Sequence, residues 1–586
     1  MSTSKERILF LKDKTETWFK APSLGGIWEK LIFILVLPLS ANAQQLDQIG
    51  KSNPFQLSGG VGVNQVYKDP VSTGDNPYSV VVNGNLTANV YGMSIPVSFA
   101  WSNYQWTYTQ PFNQFSLSPS YKWATLHMGY SSMSFSPYSL NGHSFAGVGV
   151  ELSPGDKFKF SAMHGRLLKA TPGDSVHGID PQYKRMGTGA MAQYKFTKGE
   201  VALHLFHAAD NLEKPVPYID SLGIAPRENL ATGVKLSLMP WSSVRISIDY
   251  GLSLMSNDRR LARATDLDPS AGFSHSAIKT DVTYSQRLGS IGVGVEYVEP
   301  GYNTLGSYYM VNDFVNYTLN LATSVAKGKV NVSAMVGLRE NNLSGQNADS
   351  QKDLINNLAI GFNPSEALSF NATYSNFYNY TYIRTAFDEV EAHTGYELLD
   401  TLKFTQINEN VNVGATWRFR QTETANHTLT ANLNAQQATQ SQSDVPGNSG
   451  STFLNASGGY QWGRPKNGFS MGINVMVSQN KADTVTSNTW GPVWFVRKSM
   501  FDKKLQTGAN LSWNASQTNG LRMGESFTCR GNVGYTLKKS HQFSFSVAYT
   551  QRHSPTKNST GFTAMLGYNW SLSNPSRKGA DRHTDQ

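Results

Sequence analysis

The sequence predicts an all-β fold, a transmembrane antiparallel up-and-down β-barrel of about 26 strands (plus or minus two). Three observations carry this. Hydrophobic side chains recur with period two from Gln56 to Leu572. No apolar run reaches the roughly 18 residues that a membrane helix needs. Connections between the alternating segments swing between short and long, as they do in outer-membrane barrels.

Composition narrows the class further. Charged residues are 16% and aromatic residues 12% of the 586, a balance opposite to that of a disordered chain. Lys and Arg number 50 against 41 Asp and Glu, and no basic run is dense enough to suggest nucleic acid as a partner. The lone Cys529 excludes an internal disulfide framework and argues against a thiolate zinc site.

In chain order, the first element is an export signal at residues 1–43. Lys30 precedes the run Leu31–Leu39, and Ala41-Asn42-Ala43 supplies a small-residue cleavage site. Residues 44–55 form a short periplasmic segment, residues 56–572 the barrel, and residues 573–586 a polar periplasmic tail. Within the barrel, Val80, Val82, Leu86, Ala88 and Val90 share one face, with Val81, Asn83, Asn85, Thr87 and Asn89 on the other. The series Val244, Ile246, Ile248, Tyr250, Leu252 alternates with Arg245, Ser247, Asp249, Gly251, Ser253. Segments run about 9–13 residues, the length of a tilted membrane strand rather than the shorter soluble strand. Tyr78, Tyr91, Tyr121, Trp123, Trp241, Tyr297, Trp462, Tyr549 and Trp570 sit near segment ends, where rings meet the membrane–water boundary.

Short connections such as Tyr91-Gly92-Met93, Ala326-Lys327-Gly328 and Lys538-Lys539-Ser540 suit tight hairpins. Long ones include Lys169–Lys184, Ala208–Glu228, Met255–Ser274, Glu299–Asn312 and Tyr378–Phe404. Short turns belong in the periplasm and long loops outside, so an even strand count leaves both termini periplasmic.

Two stretches resemble large outer-membrane barrels of the bacteroidete type. One is Pro300-Gly301-Tyr302-Asn303-Thr304-Leu305-Gly306-Ser307-Tyr308-Tyr309 with Asn312-Asp313. The other is Tyr374-Ser375-Asn376-Phe377 through Tyr382-Ile383-Arg384 to Phe387-Asp388. The resemblance implies fold and location and names no activity. TonB-dependent receptors fit poorly, because Gln44–Phe55 is too short for their plug domain.

Apparent catalytic motifs dissolve in context. Gly468-Phe469-Ser470-Met471-Gly472 spells a nucleophile elbow but opens a strand with no helix after it. Gly187–Ala192 mimics a dinucleotide fingerprint inside one strand. His204 and His207, three apart on a strand, point to opposite faces and cannot chelate one metal. No enzyme activity, cofactor or metal is expected.

The alternation places Lys235, Arg245, Asp249, Lys279, Asp281, Glu296, Arg339, Arg418 and Arg530 on the lumen face. They could select solutes as charged rings, or hold the wall through pairs such as Arg245–Asp249. The loop after Phe387 carries Asp388, Glu389, Glu391, His393, Glu397 and Asp400, a solvated acidic loop or a site for Ca²⁺ or a docking partner. The basic run Asn257–Arg263 reads as a solvated tip, or as a contact for lipopolysaccharide phosphates.

The expected function is a conduit, or the barrel component of a transport or export assembly. The alternative is a non-conducting surface scaffold or receptor that binds through its outer loops. Expected partners are outer-membrane lipid and lipopolysaccharide, with a plugging or secreted protein partner. A circular wall of 26 strands at ~4.8 Å spacing and ~40° tilt is about 50 Å across. Such a hole must be narrowed by flattening, by inward loops (Tyr378–Phe404 foremost, by length) or by a partner.

Overall fold

The computed structural model describes residues 55–572, apart from 70–76, 104–113, 173–180, 213–218, 220–221, 262, 265–273, 344, 346–351, 377–378, 382–404, 423, 440–449, 483 and 556–557. The acidic residues Asp388, Glu389, Glu391, Glu397 and Asp400 therefore lie outside the described residues, as do the expected signal segment and C-terminal tail.

The strands are β1 (Phe55–Asp69), β2 (Tyr78–Val90), β3 (Met93–Ser102), β4 (Gln114–Leu117 and Ser120–Tyr121), β5 (Ala124–Ser134), β6 (Asn141–Leu152), β7 (Phe158–Leu168), β8 (Arg185–Phe196) and β9 (Gly199–Asp210). There follow β10 (Glu228–Trp241), β11 (Val244–Ser256), β12 (Ser274–Gln286), β13 (Gly289–Val298), β14 (Phe314–Val325), β15 (Val330–Asn341), β16 (Lys352–Ser365) and β17 (Leu368–Ser375 and Asn379–Thr381). The ring continues through β18 (Thr405–Gln421), β19 (Asn426–Thr439), β20 (Gly450–Arg464), β21 (Phe469–Ala482), β22 (Val485–Met500), β23 (Leu505–Thr518), β24 (Leu521–Leu537), β25 (His541–His553) and β26 (Asn558–Leu572). The barrel thus has 26 antiparallel strands, as the sequence predicts. It closes where β26 pairs with β1, from Gly59 opposite Leu572 to Asp69 opposite Phe562. An even strand count puts the start of β1 and the end of β26 at one end, here called the turn end. The other is the loop end.

Hairpins at the turn end show why their residues were legible. Tyr91 and Gly92 take φ of 48° and 84°, the mirror-image turn that matches strand twist. Ala326, Lys327 and Gly328 all have positive φ, as do Lys538 and Lys539. The alternation in connection length fails among the last strands. Asn519-Gly520, also at positive φ, closes a tight turn at the loop end between β23 and β24. Strands also outrun the expected length: β18 and β24 reach 17 residues.

One face of the wall is apolar and exposed around the ring, with Leu203, Leu205, Val234, Tyr250, Val293, Val295, Val413, Trp494, Phe545 and Leu566 among it. Tyr91, Tyr121, Trp123, Trp241 and Trp570 lie exposed on it near strand ends. Water would penalise that surface, and hydrocarbon with aromatic girdles at its borders accommodates it. Among the described residues no helix is long and apolar enough to cross a membrane; strands make the crossing.

β22 contains Pro492, which lacks a donor for the ladder. The pairing with β23 skips Gly491 and Pro492, resuming at Val493 opposite Ser512. A Cβ on Gly491 would collide with the Trp513 carbonyl oxygen, so the two backbones approach as only glycine allows.

Every buried apolar cluster among the described residues falls between Met133 and Phe314. The largest joins inner-face side chains of β5–β9, including Phe145, Met163, Leu167 and Phe206, to Phe135, Leu140 and Leu305 from two connections. A packed core inside a polar-lined barrel means that part of the chain fills the lumen on this side.

Candidate functional site

Cross-strand register assembles the site. Lys235 stands opposite Asp249, Asp249 opposite Lys279, and Lys279 opposite Glu296. Glu296 stands opposite Asn316, Asn316 opposite Arg339, and Arg339 opposite Asp353. Their strand neighbours Val234, Tyr250, Ile278, Val295, Tyr317 and Leu338 are exposed on the apolar face, so this row faces the lumen. Five of the nine charges nominated from sequence form one transverse row across β10–β15.

The row is held by lateral contacts. Lys235 Nζ is 3.7 Å from Asp249 Oδ2, and Lys279 Nζ is 3.8 Å from Glu296 Oε2. The Arg339 guanidinium is buried, donates from Nε to Asn316 Oδ1 at 2.8 Å, and lies 4.5 Å from the Phe314 ring centroid. The expected Arg245–Asp249 pairing is not made. Residues four apart on a strand are separated by about 13 Å, whereas directly opposed residues come within about 5 Å. Asp249 accordingly pairs across to Lys235, with His204 Nε2 at 4.0 Å, and Arg245 lies exposed near the turn end. Asp281 is on the same face as Lys279, opposite Gly294. Arg418 is exposed near the turn end of β18. Arg530 is buried on β24, about half the ring away.

Two connections at the loop end reach down to this row. Phe135–Leu140 leaves β5, yet Ser136 Oγ donates to Asp249 Oδ1 at 2.8 Å and Tyr138 Oη to Glu296 Oε1 at 2.9 Å. Lys235 Nζ donates to the Phe135 carbonyl at 3.3 Å. A segment rooted in β5 can touch β10, β11 and β13 on their inner faces only by crossing the interior. Asp249 lies seven residues from the loop end of β11, roughly 23 Å along the strand. Gly251 on the same face provides the seat. A Cβ there would meet Tyr138 Cβ at 2.5 Å and Tyr302 Oη at 2.7 Å.

The second connection, residues 299–313, locks the first. Tyr302 Oη donates to the Tyr138 carbonyl at 2.6 Å, and Thr304 Oγ1 to the Ser139 carbonyl at 2.8 Å. Asn141 N donates to the Gly306 carbonyl. The wall holds this loop in turn, Ser253 Oγ donating to the Asn303 carbonyl at 2.6 Å and Leu305 N to Asn229 Oδ1 at 3.2 Å. Tyr138 and Tyr302 meet edge to face, 6.0 Å between centroids. Burial, then the Glu296 charge, pushes the Tyr138 phenol far above its ordinary pKa; burial and then Asp249 do the same to Tyr302. Both remain hydrogen-bond donors at physiological pH.

Sequence reasoning missed Ser136, Tyr138, Asn229, Ser253 and the inward course of both loops. The available signals were the glycine on the inner face of β11 and the aromatic-rich Pro300–Tyr309 stretch. That stretch, expected among the long outer connections, is the locking loop.

The basic run 257–263 is likewise no free tip where it is described. Arg259 Nε and Arg263 Nε lie 3.5 and 3.7 Å from Oε2 of Glu228, which is fully buried, and His207 Nε2 lies 2.9 Å from its Oε1. Arg260 pairs with Asp258 and holds that carboxyl below its usual pKa. His204 points inward and His207 to the opposite face, as their spacing predicts. Ser470 of the apparent elbow lies within β21, opposite Gly463 and Arg497. Among the described residues no cluster of His, Cys, Asp or Glu could hold a metal ion.

No family model matches the chain, and no curated protein does. Solved structures similar to it include the P pilus usher PapC translocation pore, at 10% identity and a TM-score of 0.37, covering 89% of this chain and 100% of that one. The copper transporter OprC superposes at 10% identity and a TM-score of 0.38, over 88% and 80%. OccAB2 of Acinetobacter baumannii does so at 9% and 0.30, over 88% and 98%. Identity and superposition are low across the set. The exposed apolar belt and the closed strand ring make this chain a membrane β-barrel of the outer-membrane type.

Proposed function

We propose that the chain is an outer-membrane conduit, the barrel of a transport or export system, whose lumen is narrowed by its own loops. The observation that carries the proposal is the chord made by Phe135–Leu140 and residues 299–313 across the interior, fastened to the charged row at Asp249 and Glu296. Any barrel this wide must be kept tight, but the described loop contacts lie on one side of the lumen and leave a path along the other, which a conduit uses and a scaffold does not need. Fully burying side chains such as Phe135, Leu140 and Phe145 stabilises the chord by about 1.5–3 kcal/mol each, so it is a standing part of the channel wall. In this reading the charges at Lys235, Asp249 and Glu296 hold the chord rather than meet solute.

The loop end faces outward and both termini are periplasmic. The rim contacts lipid and lipopolysaccharide, and a secreted or plugging protein engages the lumen or outer loops. The role is transport without catalysis. The test is single-channel recording of the purified protein in planar bilayers, beside a variant in which residues 135–140 are replaced by a Gly-Ser linker. The native barrel should give a stable conductance that the variant raises several-fold. Absence of conductance in both would defeat the conduit and favour the scaffold.

A further inference from the structure

The arc that follows the charged row carries a second row of opposite character. Thr373 stands opposite Asn412, Asn412 opposite Asn434, Asn434 opposite Asn455, and Asn455 opposite Ser478. It continues through Thr489 to Ser516. Neighbours Val413, Leu433, Leu454, Val477 and Trp490 are exposed on the apolar face, which puts this row in the lumen. Seven successive strands thus present only amides and hydroxyls at one level, with no charge. None of the hydrogen bonds made by the two inward loops reaches this arc among the described residues.

The amides are incompletely satisfied. Asn434 Nδ2 donates to Asn410 Oδ1 at 3.2 Å. Asn455 Oδ1, and Asn514 Oδ1 nearby on β23, have no partner among the described residues, although the residues are 9% and 5% exposed. Buried acceptors without donors are costly in a finished wall, and a rotation of either amide that opens its oxygen to the lumen would let a hydroxyl ligand satisfy it.

We propose that the conduit's substrate is a neutral polyhydroxylated chain, a glycan, and that it travels along the β17–β23 arc. This rests on the conduit reading. An amide both donates and accepts, and so does a sugar hydroxyl, so the two match group by group. Anionic or cationic polymers would need counter-charges that this row lacks. A polypeptide in transit carries roughly a quarter charged residues, for which the row offers no counterpart.

The probes are maltoheptaose, dextran sulfate and polylysine. In bilayers, maltoheptaose should block the current of the full-length protein at millimolar concentration, and the other two should block at least tenfold more weakly. Asn434→Leu with Asn455→Leu should weaken the maltoheptaose block about tenfold, and the milder Asn434→Ser with Asn455→Ser about threefold. Lys327→Gln, in an exposed turn-end hairpin, should leave it unchanged. Calorimetric titration of the detergent-solubilised protein with maltoheptaose reads the site without relying on conduction. Binding without current would defeat the conduit but keep the glycan site. Conduction with neither block nor binding, block unaffected by both double variants, or preference for either charged polymer would overturn the glycan assignment.

Discussion

The Tyr138 phenol donates to the Glu296 carboxylate at 2.9 Å, joining the β5–β6 connection to β13, 158 residues further along the chain. Tyr138 approaches Glu296 from inside the barrel, so the contact fixes where the inward loop stops. Tyr302 then caps the Tyr138 carbonyl, and both phenols are buried within the obstruction.

These phenols set a pH dependence. Burial raises both pKa values in the folded state, so an unfolded chain releases their protons first, near the ordinary phenol value of about 10. The stability that the neutral phenols contribute is therefore fully present below about pH 10 and declines as pH rises above it. Urea unfolding of the detergent-held barrel between pH 8 and 11 should show this decline, and Tyr138→Phe with Tyr302→Phe should flatten it. At pH 8 the single change Tyr138→Phe should cost roughly 1–3 kcal/mol, since it leaves a half-buried carboxylate short of a donor. An unaltered alkaline slope in the double variant would remove the phenols from the account.

How the sequence relates to the site is clearest at Asp249. Its face was legible, because period two alone decides inside from outside. Its partner was not, because register depends on where hairpins close and on bulges such as that between Leu238 and Trp241. The sequence offered Arg245, close in number and far in space; folding supplied Lys235. The loops misled for a related reason. Length singled out Tyr378–Phe404, much of which lies outside the described residues, while the described obstruction comes partly from a six-residue connection. Nothing local in Ser136-Pro137-Tyr138-Ser139 distinguishes a tip that points to solvent from one that turns inward.

Gly251 gives a test of the seat that leaves the loop sequence intact. A Cβ there collides with Tyr138 Cβ, which is anchored by backbone and cannot swing aside. Gly251→Val should lift Phe135–Leu140 from the wall, raise conductance at least twofold and sensitise cells to large antibiotics. Gly458→Val meets nothing within 4 Å and should behave as wild type. Equal behaviour of the two variants would mean the loop is not seated on β11.

The lipid face is tested by adjacent residues of β11. Ile248 lies on the face of Val234 and Tyr250, and Ser247 on the lumen face opposite Asp281. Ile248→Arg should cost roughly 2–4 kcal/mol near the bilayer midplane. Ser247→Arg gains a carboxylate opposite and should be nearly neutral. Heat-modifiable gel mobility after refolding into vesicles reads both, and similar losses would reverse the face assignment.

Orientation follows from accessibility on intact cells. A protease-sensitive tag inserted after Gly223, at the loop end, should be cut without breaking the outer membrane. One inserted at Gly328, at the turn end, should be protected until the membrane is opened. The opposite pattern would place both termini outside.

Glu228 governs whether the basic loop is a surface feature or part of the wall. Its carboxylate is buried between His207, Arg259 and Arg263, and the Ala264 amide donates to it at 3.3 Å. Removing it strips two guanidinium groups of their carboxylate and takes away the contact of this loop with β10, leaving Arg259 its bonds to the Asp210 and Pro226 carbonyls. Fully buried pairs cost about 3–5 kcal/mol to break. Arg263 is more than half exposed, and water takes over part of its loss, so Glu228→Ala should cost nearer 1–3 kcal/mol. The damage should be local. Trypsin should cleave after Arg259, Arg260 or Arg263 on intact cells carrying Glu228→Ala and spare the native protein, while the heat-modifiable mobility of the barrel stays unchanged. Cleavage of the native loop at the same rate would show that Glu228 does not hold it, and would return the basic run to solvent and to lipopolysaccharide phosphates.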